Sequence, residues 1–328
     1  LRIKYLRLSI PKTSAGVVQY LSACHGLLRK ARQIDKQRVL HMRIKNPRNQ
    51  GILLMAICAV LWSTGGIFIK IVPWNPMFIA GFRSLIAAGV YSLYMRHQRV
   101  QWVVNRDSVL AAICMSGNFI LYIAANKLTT AANAIVLQYS APISILILSA
   151  LFFRQRFRRG DILAVVLTTL GISLFFFDQL SNKSMLGNVL ALLSGVFFAG
   201  MFVVTGHANE DSRSSGILLA HLMTAVAGLP FFFFSQNPVS TPALAAIFAL
   251  GIFQLGIPYL LYGMAARNCS PLSCSLISFI EPLLNPVWVF LFNGETPGFY
   301  ALLGGVLVLA TVVVYTIWNS KTPSAEGR

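Results

Sequence analysis

Gly51-Ile-Leu-Leu-Met-Ala-Ile-Cys-Ala-Val-Leu-Trp62 carries no charged side chain, and the apolar run it opens continues to residue 72 with Lys70 as its one charge. As a helix such a run rises about 1.5 Å per residue, which is enough to cross a bilayer core of about 30 Å. The stretch has a counterpart 136 positions on, Gly187-Asn-Val-Leu-Ala-Leu-Leu-Ser-Gly-Val-Phe-Phe198. A second pair lies at an offset of 140: Tyr122 to Pro142 aligns with Tyr262 to Pro282, matching Ala125 with Ala265, Lys127 with Arg267, Tyr139 with Phe279 and Pro142 with Pro282.

Outward from these pairs, ten stretches have the length and apolarity of a membrane helix: 51–72, 74–95, 108–127, 130–153, 160–177, 185–206, 214–235, 242–266, 270–292 and 298–318. The first pairs with the sixth, the third with the eighth, and the fourth with the ninth. A unit with an odd number of spans inserts its second copy upside down. The expected fold is therefore an all-α integral membrane protein, with ten transmembrane helices arranged as a 5+5 inverted repeat. The expected divisions are a basic N-terminal extension over 1–47, five-helix repeats over 48–178 and 185–318, and a cytoplasmic tail over 319–328.

Composition agrees with lipid as the solvent. Of 328 residues, 56% are hydrophobic and 11% charged, under half the charged fraction of about 25% in a soluble domain. The net charge of +18 would suggest nucleic acid on a soluble protein. Here residues 1–50 hold 12 of the 27 Lys and Arg, and most others lie in short gaps between apolar runs. That is the positive-inside pattern, and nucleic acid is excluded as a partner. With the N-terminus in the cytoplasm, 23 basic residues fall inside and three outside (Lys70, Lys127 and Lys183). The chain is expected in the cytoplasmic membrane, multi-pass, with both termini cytoplasmic. Met42 just before the first span is the expected start; residues 17–40 as a basic amphipathic helix on the inner surface are the alternative. The five cysteines include no CxxC pair and read as small apolar side chains in helices.

Several short motifs now carry a resemblance. The first span reads Leu61-Trp62-Ser63-Thr64-Gly65-Gly66 and ends with Lys70; the second contains Gly81-Phe82-Arg83-Ser84-Leu85; the fourth has Ala141-Pro142. The ninth has Phe279-Ile280-Glu281-Pro282, followed by Gly294-Glu295-Thr296-Pro297, and the last opens on Gly304-Gly305. Over about 48–318 the chain resembles the EamA family of the drug/metabolite transporter superfamily. It departs from the family pattern after the fourth span, where Phe153-Arg154-Gln155-Arg156 replaces a typical Glu. The resemblance implies transport of a small metabolite.

Ionisable groups within a bilayer cost several kcal/mol unless paired or hydrated. Three lie deep in the spans: Arg83, His221 and Glu281. Arg83 and Glu281 fall about 13 and 16 Å into their helices, with opposite sign, as a structural or coupling charge pair. An ion pair between them is expected; proton coupling and direct solute contact are the alternatives. For His221 a hydrogen bond to a neighbouring helix stands beside a role in binding.

Polar lines at helical spacing surround these charges. Asn118, Tyr122 and Asn126 share one face of the third span, and Gln254, Pro258 and Tyr262 one face of the eighth. Ser278, Glu281, Pro282 and Asn285 form a face on the ninth, and Asn133 and Gln138 lie early in the fourth. The candidate solute-binding set is Trp62, Asn118, Tyr122, Gln138, Tyr139, His221, Gln254, Tyr262, Ser278, Glu281 and Asn285; interhelical hydrogen bonding is the competing explanation. The sequence contains no HExxH, GxSxG or Walker A motif, so no catalytic residue, metal or cofactor is expected. The reading is a secondary transporter of a neutral or zwitterionic solute such as an amino acid, directed toward efflux. A structural or regulatory membrane protein, or an intramembrane enzyme, is the alternative. Expected partners are the small-molecule solute and the lipid bilayer, with a homodimer open.

Overall fold

The computed structural model describes residues 47–65, 68, 72–129, 131–175, 177, 184–234, 238, 240–293 and 298–321. The extension before Pro47, including Met42 and the 17–40 segment, lies outside the described residues, as do Lys70 and Gly294 to Pro297. Among the described residues all regular structure is helical. In chain order the α-helices are α1 Pro47–Ser63, α2 Pro76–Gln98, α3 Arg106–Leu128, α4 Ala131–Gln138, α5 Ala141–Phe153, α6 Arg159–Phe175 and α7 Met185–His207. They continue with α8 Glu210–Gly228, α9 Thr241–Ala249, α10 Ile257–Ala265, α11 Pro271–Ile277, α12 Ile280–Asn293 and α13 Phe299–Lys321. A π-helical stretch, Leu250–Gly256, joins α9 to α10.

Polar residues at the edges of the apolar runs set the helix ends. Asn75 accepts a hydrogen bond from the Met77 amide at 2.9 Å, with Pro76 at the first helical position of α2. Asn105 and Ser108 form a reciprocal capping box at the start of α3. The Asn209 side chain accepts from the Ser212 amide to cap α8, and the Ser270 side chain from the Ser273 amide to cap α11. Seven described stretches are long and apolar enough to cross a membrane: Pro76–Gln98, Arg106–Asn126, Ala134–Phe153, Met185–His207, Glu210–Phe232, Thr241–Ala265 and Leu302–Asn319. Their outward faces are apolar, with Leu93, Leu151, Phe152 and Val226 all at least 70% exposed, as a lipid-facing surface requires.

Two of the apolar runs break near their middle among the described residues. The run 130–153 breaks between α4 and α5 at Tyr139 and Ser140, and the run 270–292 breaks between α11 and α12 at Ser278 and Phe279. Proline is the cause in both. Pro142 and Pro282 have no N–H for the carbonyl four residues back, and their rings crowd it. That carbonyl belongs to Gln138 in one case and Ser278 in the other.

Packing follows small residues. A Cβ on Gly81 would sit 2.7 Å from the backbone of Gly228 and Leu229, so α2 and α8 meet backbone to backbone. Gly51 of α1 lies against Ala265 to Cys269, and Gly187 of α7 against Leu128 and Thr129. The packed pairs are α3 with α7, α8 with α3, α8 with α2, α13 with α6, α10 with α1, α2 with the π stretch, α4 and α5 with α7, and α12 with α1.

Candidate functional site

Most of the candidate side chains gather where α1, α2, α3, α4, α7, α8, α10 and α12 converge. Trp62, at the end of α1, is buried. Its ring centroid lies 5.3 Å from Tyr259, 6.1 Å from Phe198 and 6.2 Å from Tyr262. Tyr259 also meets Phe119 of α3 edge-on at 5.3 Å and His221 of α8 edge-on at 5.2 Å. His221 stacks on Phe119, with 5.5 Å between centroids and 16° between planes. The result is an aromatic cluster with polar edges, favourable in itself by about 0.5–1.5 kcal/mol for each well-placed ring pair.

The polar edges are unevenly satisfied. The Nε1 of Trp62, the Nε of Arg83 and both ring nitrogens of His221 are buried without a hydrogen-bond partner among the described residues. The expected hydrogen bond from His221 to a neighbouring helix is therefore absent: Phe119 and Tyr259 enclose its ring with carbon. A buried polar atom left unpaired costs about 1–3 kcal/mol. Four such atoms in one neighbourhood mark a place that favours a polar occupant.

The expected ion pair is also absent. Among the described residues the one ion pair is Arg267–Glu210, at 2.9 Å on the surface. Arg83 instead donates through Nη1 to Gln254 Oε1 at 3.1 Å, and Glu281 Oε2 lies 2.9 Å from the Tyr139 hydroxyl. The separation has a physical reason. Arg83 is drawn to the π-helical stretch that carries Gln254, and Glu281 sits just past the break between α11 and α12, against Tyr139 in the other break. Each charge thus has a neutral partner from another helix.

The remaining candidates divide. Gln138 donates to Asn118 at 2.7 Å, which ties α4 to α3 and uses both side chains structurally. Asn126 turns back onto its own helix, donating to the Tyr122 carbonyl at 3.0 Å. Tyr262 is buried against Thr205, with which it shares a short hydrogen bond. The Ser278 carbonyl receives the Tyr139 hydroxyl at 2.9 Å. The side chains of Asn133 and Asn285 lie outside those described.

Three participants were missed from the sequence: Phe119, Phe198 and Tyr259. Tyr259 had a signal of the wrong period. A line at i, i+4, i+8 from Gln254 selects Pro258 and Tyr262 and passes over Tyr259; the wider i→i+5 hydrogen bonding of the π stretch shifts that α-helical register after Gln254. Phe119 and Phe198 carry no sequence signal beyond ordinary apolar character.

Comparison with known proteins fixes the family. The model of the EamA-like transporter family matches twice, over residues 49–177 and again over 185–317. The chain belongs to the EamA-like transporter family. An Archaeoglobus fulgidus protein named "Uncharacterized transporter" is 25% identical over 284 residues, covering 80% of this chain and 96% of the relative. The EamA-type relatives also include Protein RarD of Escherichia coli, 22% identical over 76% of this chain and 88% of its own length. The pseudopaline exporter CntI of Pseudomonas aeruginosa is 25% identical over 72% of this chain and 84% of its own length. A solved crystal structure superposes with a TM-score of 0.71 at 19% identity, covering 84% of this chain and all of that one. This EamA-like chain is thus an all-helical, multi-pass transporter-family protein.

Proposed function

We propose that this EamA-like protein is a secondary transporter that exports a small neutral or zwitterionic organic solute, amino-acid-like in its charge, by alternating access across the cytoplasmic membrane. The observation that carries the reading is the pair of separated charges beside unpartnered polar atoms. Arg83 and Glu281 do not neutralise each other, and Trp62, Arg83 and His221 offer buried nitrogens without a hydrogen-bond partner among the described residues. A solute carboxylate fits the donors on Arg83 and Trp62. A solute ammonium fits the carboxylate of Glu281. A purely structural or regulatory role gives those atoms no purpose, and an intramembrane enzyme needs a nucleophile with a base or paired acids, which this cluster lacks among the described residues.

Two inverted five-helix repeats, over 48–178 and 185–318, form the proposed frame. Exchange of each helix for its counterpart maps the packed pairs onto one another: α1 with α10 becomes α7 with α3, α1 with α12 becomes α7 with α4 and α5, and α2 with the π stretch becomes α8 with α3. The pairs α2–α8 and α6–α13 map onto themselves. Residues aligned by the repeat also touch: Trp62 with Phe198, and Tyr139 with Phe279 at 4.8 Å. Such contacts arise beside a two-fold axis. The excess of basic residues on one side supports cytoplasmic termini. The printed name of one relative, an exporter, supports the direction.

The test is solute counterflow with the purified full chain in liposomes, using labelled amino acids, nucleobases and amines. Accelerated exchange of at least one amino acid, lost in Arg83→Gln, is expected. Exchange at the rate of empty liposomes for every compound overturns the reading.

A further inference from the structure

The Tyr139 hydroxyl has one proton and two oxygens within reach. It lies 2.9 Å from the Ser278 carbonyl and 2.9 Å from Glu281 Oε2. A carbonyl oxygen only accepts, and so does an ionised carboxylate. If Glu281 is ionised, one phenol proton is contested by two acceptors, and one of the two contacts becomes oxygen against oxygen. If Glu281 carries a proton, the count closes: the carboxyl donates to the Tyr139 oxygen, and the Tyr139 hydroxyl donates to the Ser278 carbonyl.

The position of this chain of donors gives it leverage. Ser278 is the residue whose carbonyl Pro282 cannot serve, so its oxygen is held by the Glu281 amide at 2.9 Å and by Tyr139. Tyr139 itself stands in the break between α4 and α5, and its ring meets Phe279, in the other break, at 4.8 Å. The two broken helices are therefore joined at their breaks by one hydroxyl. Among the described residues no opposite charge forms an ion pair with Glu281. The ionisable groups around it, among the described residues, are Cys58 from α1, Tyr122 from α3, Tyr139 from the break after α4 and Tyr259 from α10. Arg83 of α2 is engaged by Gln254.

We infer that Tyr139, the Ser278 carbonyl and Glu281 form a proton-dependent latch between the two helix breaks, closed when Glu281 is protonated and opened when it releases that proton. On release the Tyr139 hydroxyl turns to the carboxylate, and the Ser278 carbonyl loses its link to α4. No redox step is involved: one proton leaves the carboxyl for water. The inference rests on the proposed transport function only for its consequence. There, the solute ammonium and the proton are alternative occupants of Glu281, so export of solute accompanies entry of a proton.

Infrared difference spectroscopy of the purified full chain in lipid, titrated from acid to alkaline pH, reads the latch without any solute. The expected result is a carbonyl-stretch band of a hydrogen-bonded carboxylic acid that is lost on titration and missing in Glu281→Gln. In Tyr139→Phe, which leaves the carboxyl in place, the band shifts to the frequency of a more weakly bonded acid and its titration midpoint moves. If Glu281→Gln does not fold, the Tyr139→Phe shift decides alone. A wild-type spectrum without that band, or a band unmoved in Tyr139→Phe, overturns the latch. Counterflow on the same liposomes is judged separately: the band with no exchange of any amino acid sinks the transport reading and leaves the latch standing.

Discussion

The break at Tyr139–Ser140 and the break at Ser278–Phe279 share one device, a proline that leaves a carbonyl without its helical donor, but they treat that carbonyl differently. In the first half the Gln138 carbonyl faces Gly195 of α7, where an added Cβ would lie 2.7 Å away. Close packing against a glycine surrounds it. In the second half the Ser278 carbonyl receives a tyrosine hydroxyl, and a carboxyl group follows three residues later. The deep charges divide likewise, with Arg83 in the first half and Glu281 in the second. The two breaks thus share a proline, but one is enclosed by packing and the other carries an ionisable contact. A site with both signs of charge then needs both halves.

The largest effect that would break this comparison is at the break enclosed by packing. Gly195→Val should cost about 3 kcal/mol or more, because the Gln138 carbonyl is backbone and cannot move aside. Ala59→Gly, at the position that the 136-residue offset aligns with Gly195 and fully buried, should cost only about 1 kcal/mol. Thermal unfolding of the two variants in detergent measures the difference; equal costs would mean that the breaks are supported alike.

Next come the two charges. Because Arg83 and Glu281 have separate partners, their stability changes in Arg83→Gln and Glu281→Gln should add to within about 0.5 kcal/mol in the double variant. Rescue of expression by the double change would restore the ion pair that the geometry lacks. A smaller effect separates binding from packing. Trp62→Phe keeps an aromatic side chain but deletes the five-membered ring with its unpartnered N–H, so unfolding should shift by about 1–3 kcal/mol from the vacated volume while solute affinity falls about tenfold, or about 1.4 kcal/mol. A loss of stability with unchanged affinity would assign Trp62 to the core. The smallest is expected at the surface: Glu210→Gln removes the exposed bridge to Arg267 and should cost under about 1 kcal/mol, less in high salt. A larger loss would give the end of α8 a structural weight that its exposure argues against.

The membrane class was legible from apolar run length, and the family from short motifs in fixed order, because both depend on local composition. Arg83, His221 and Glu281 stood out for the same reason: an ionisable group in an apolar run is conspicuous. Partner choice was not legible. Pairing Arg83 with Glu281 follows from opposite sign and similar depth, yet which oxygen meets Arg83 depends on the rotation that the π-helical stretch gives to Gln254 and Tyr259. The helix breaks were half legible. Pro142 and Pro282 were visible, but a proline inside a span equally well kinks a continuous helix. That Gln138 and Asn118 satisfy each other depends on the approach of α4 to α3, which no single-helix pattern records.

The most direct test of the account is counterflow in liposomes with three forms of whichever amino acid exchanges fastest: the zwitterion, its carboxamide, which lacks the carboxylate, and its deaminated acid, which lacks the ammonium. The account predicts rapid exchange of the zwitterion and at least tenfold slower exchange of both analogues. It further predicts that Arg83→Gln abolishes the preference for the zwitterion over the carboxamide, and Glu281→Gln the preference over the deaminated acid. Equal exchange of all three forms by the wild-type protein would contradict a site built from one charge in each half.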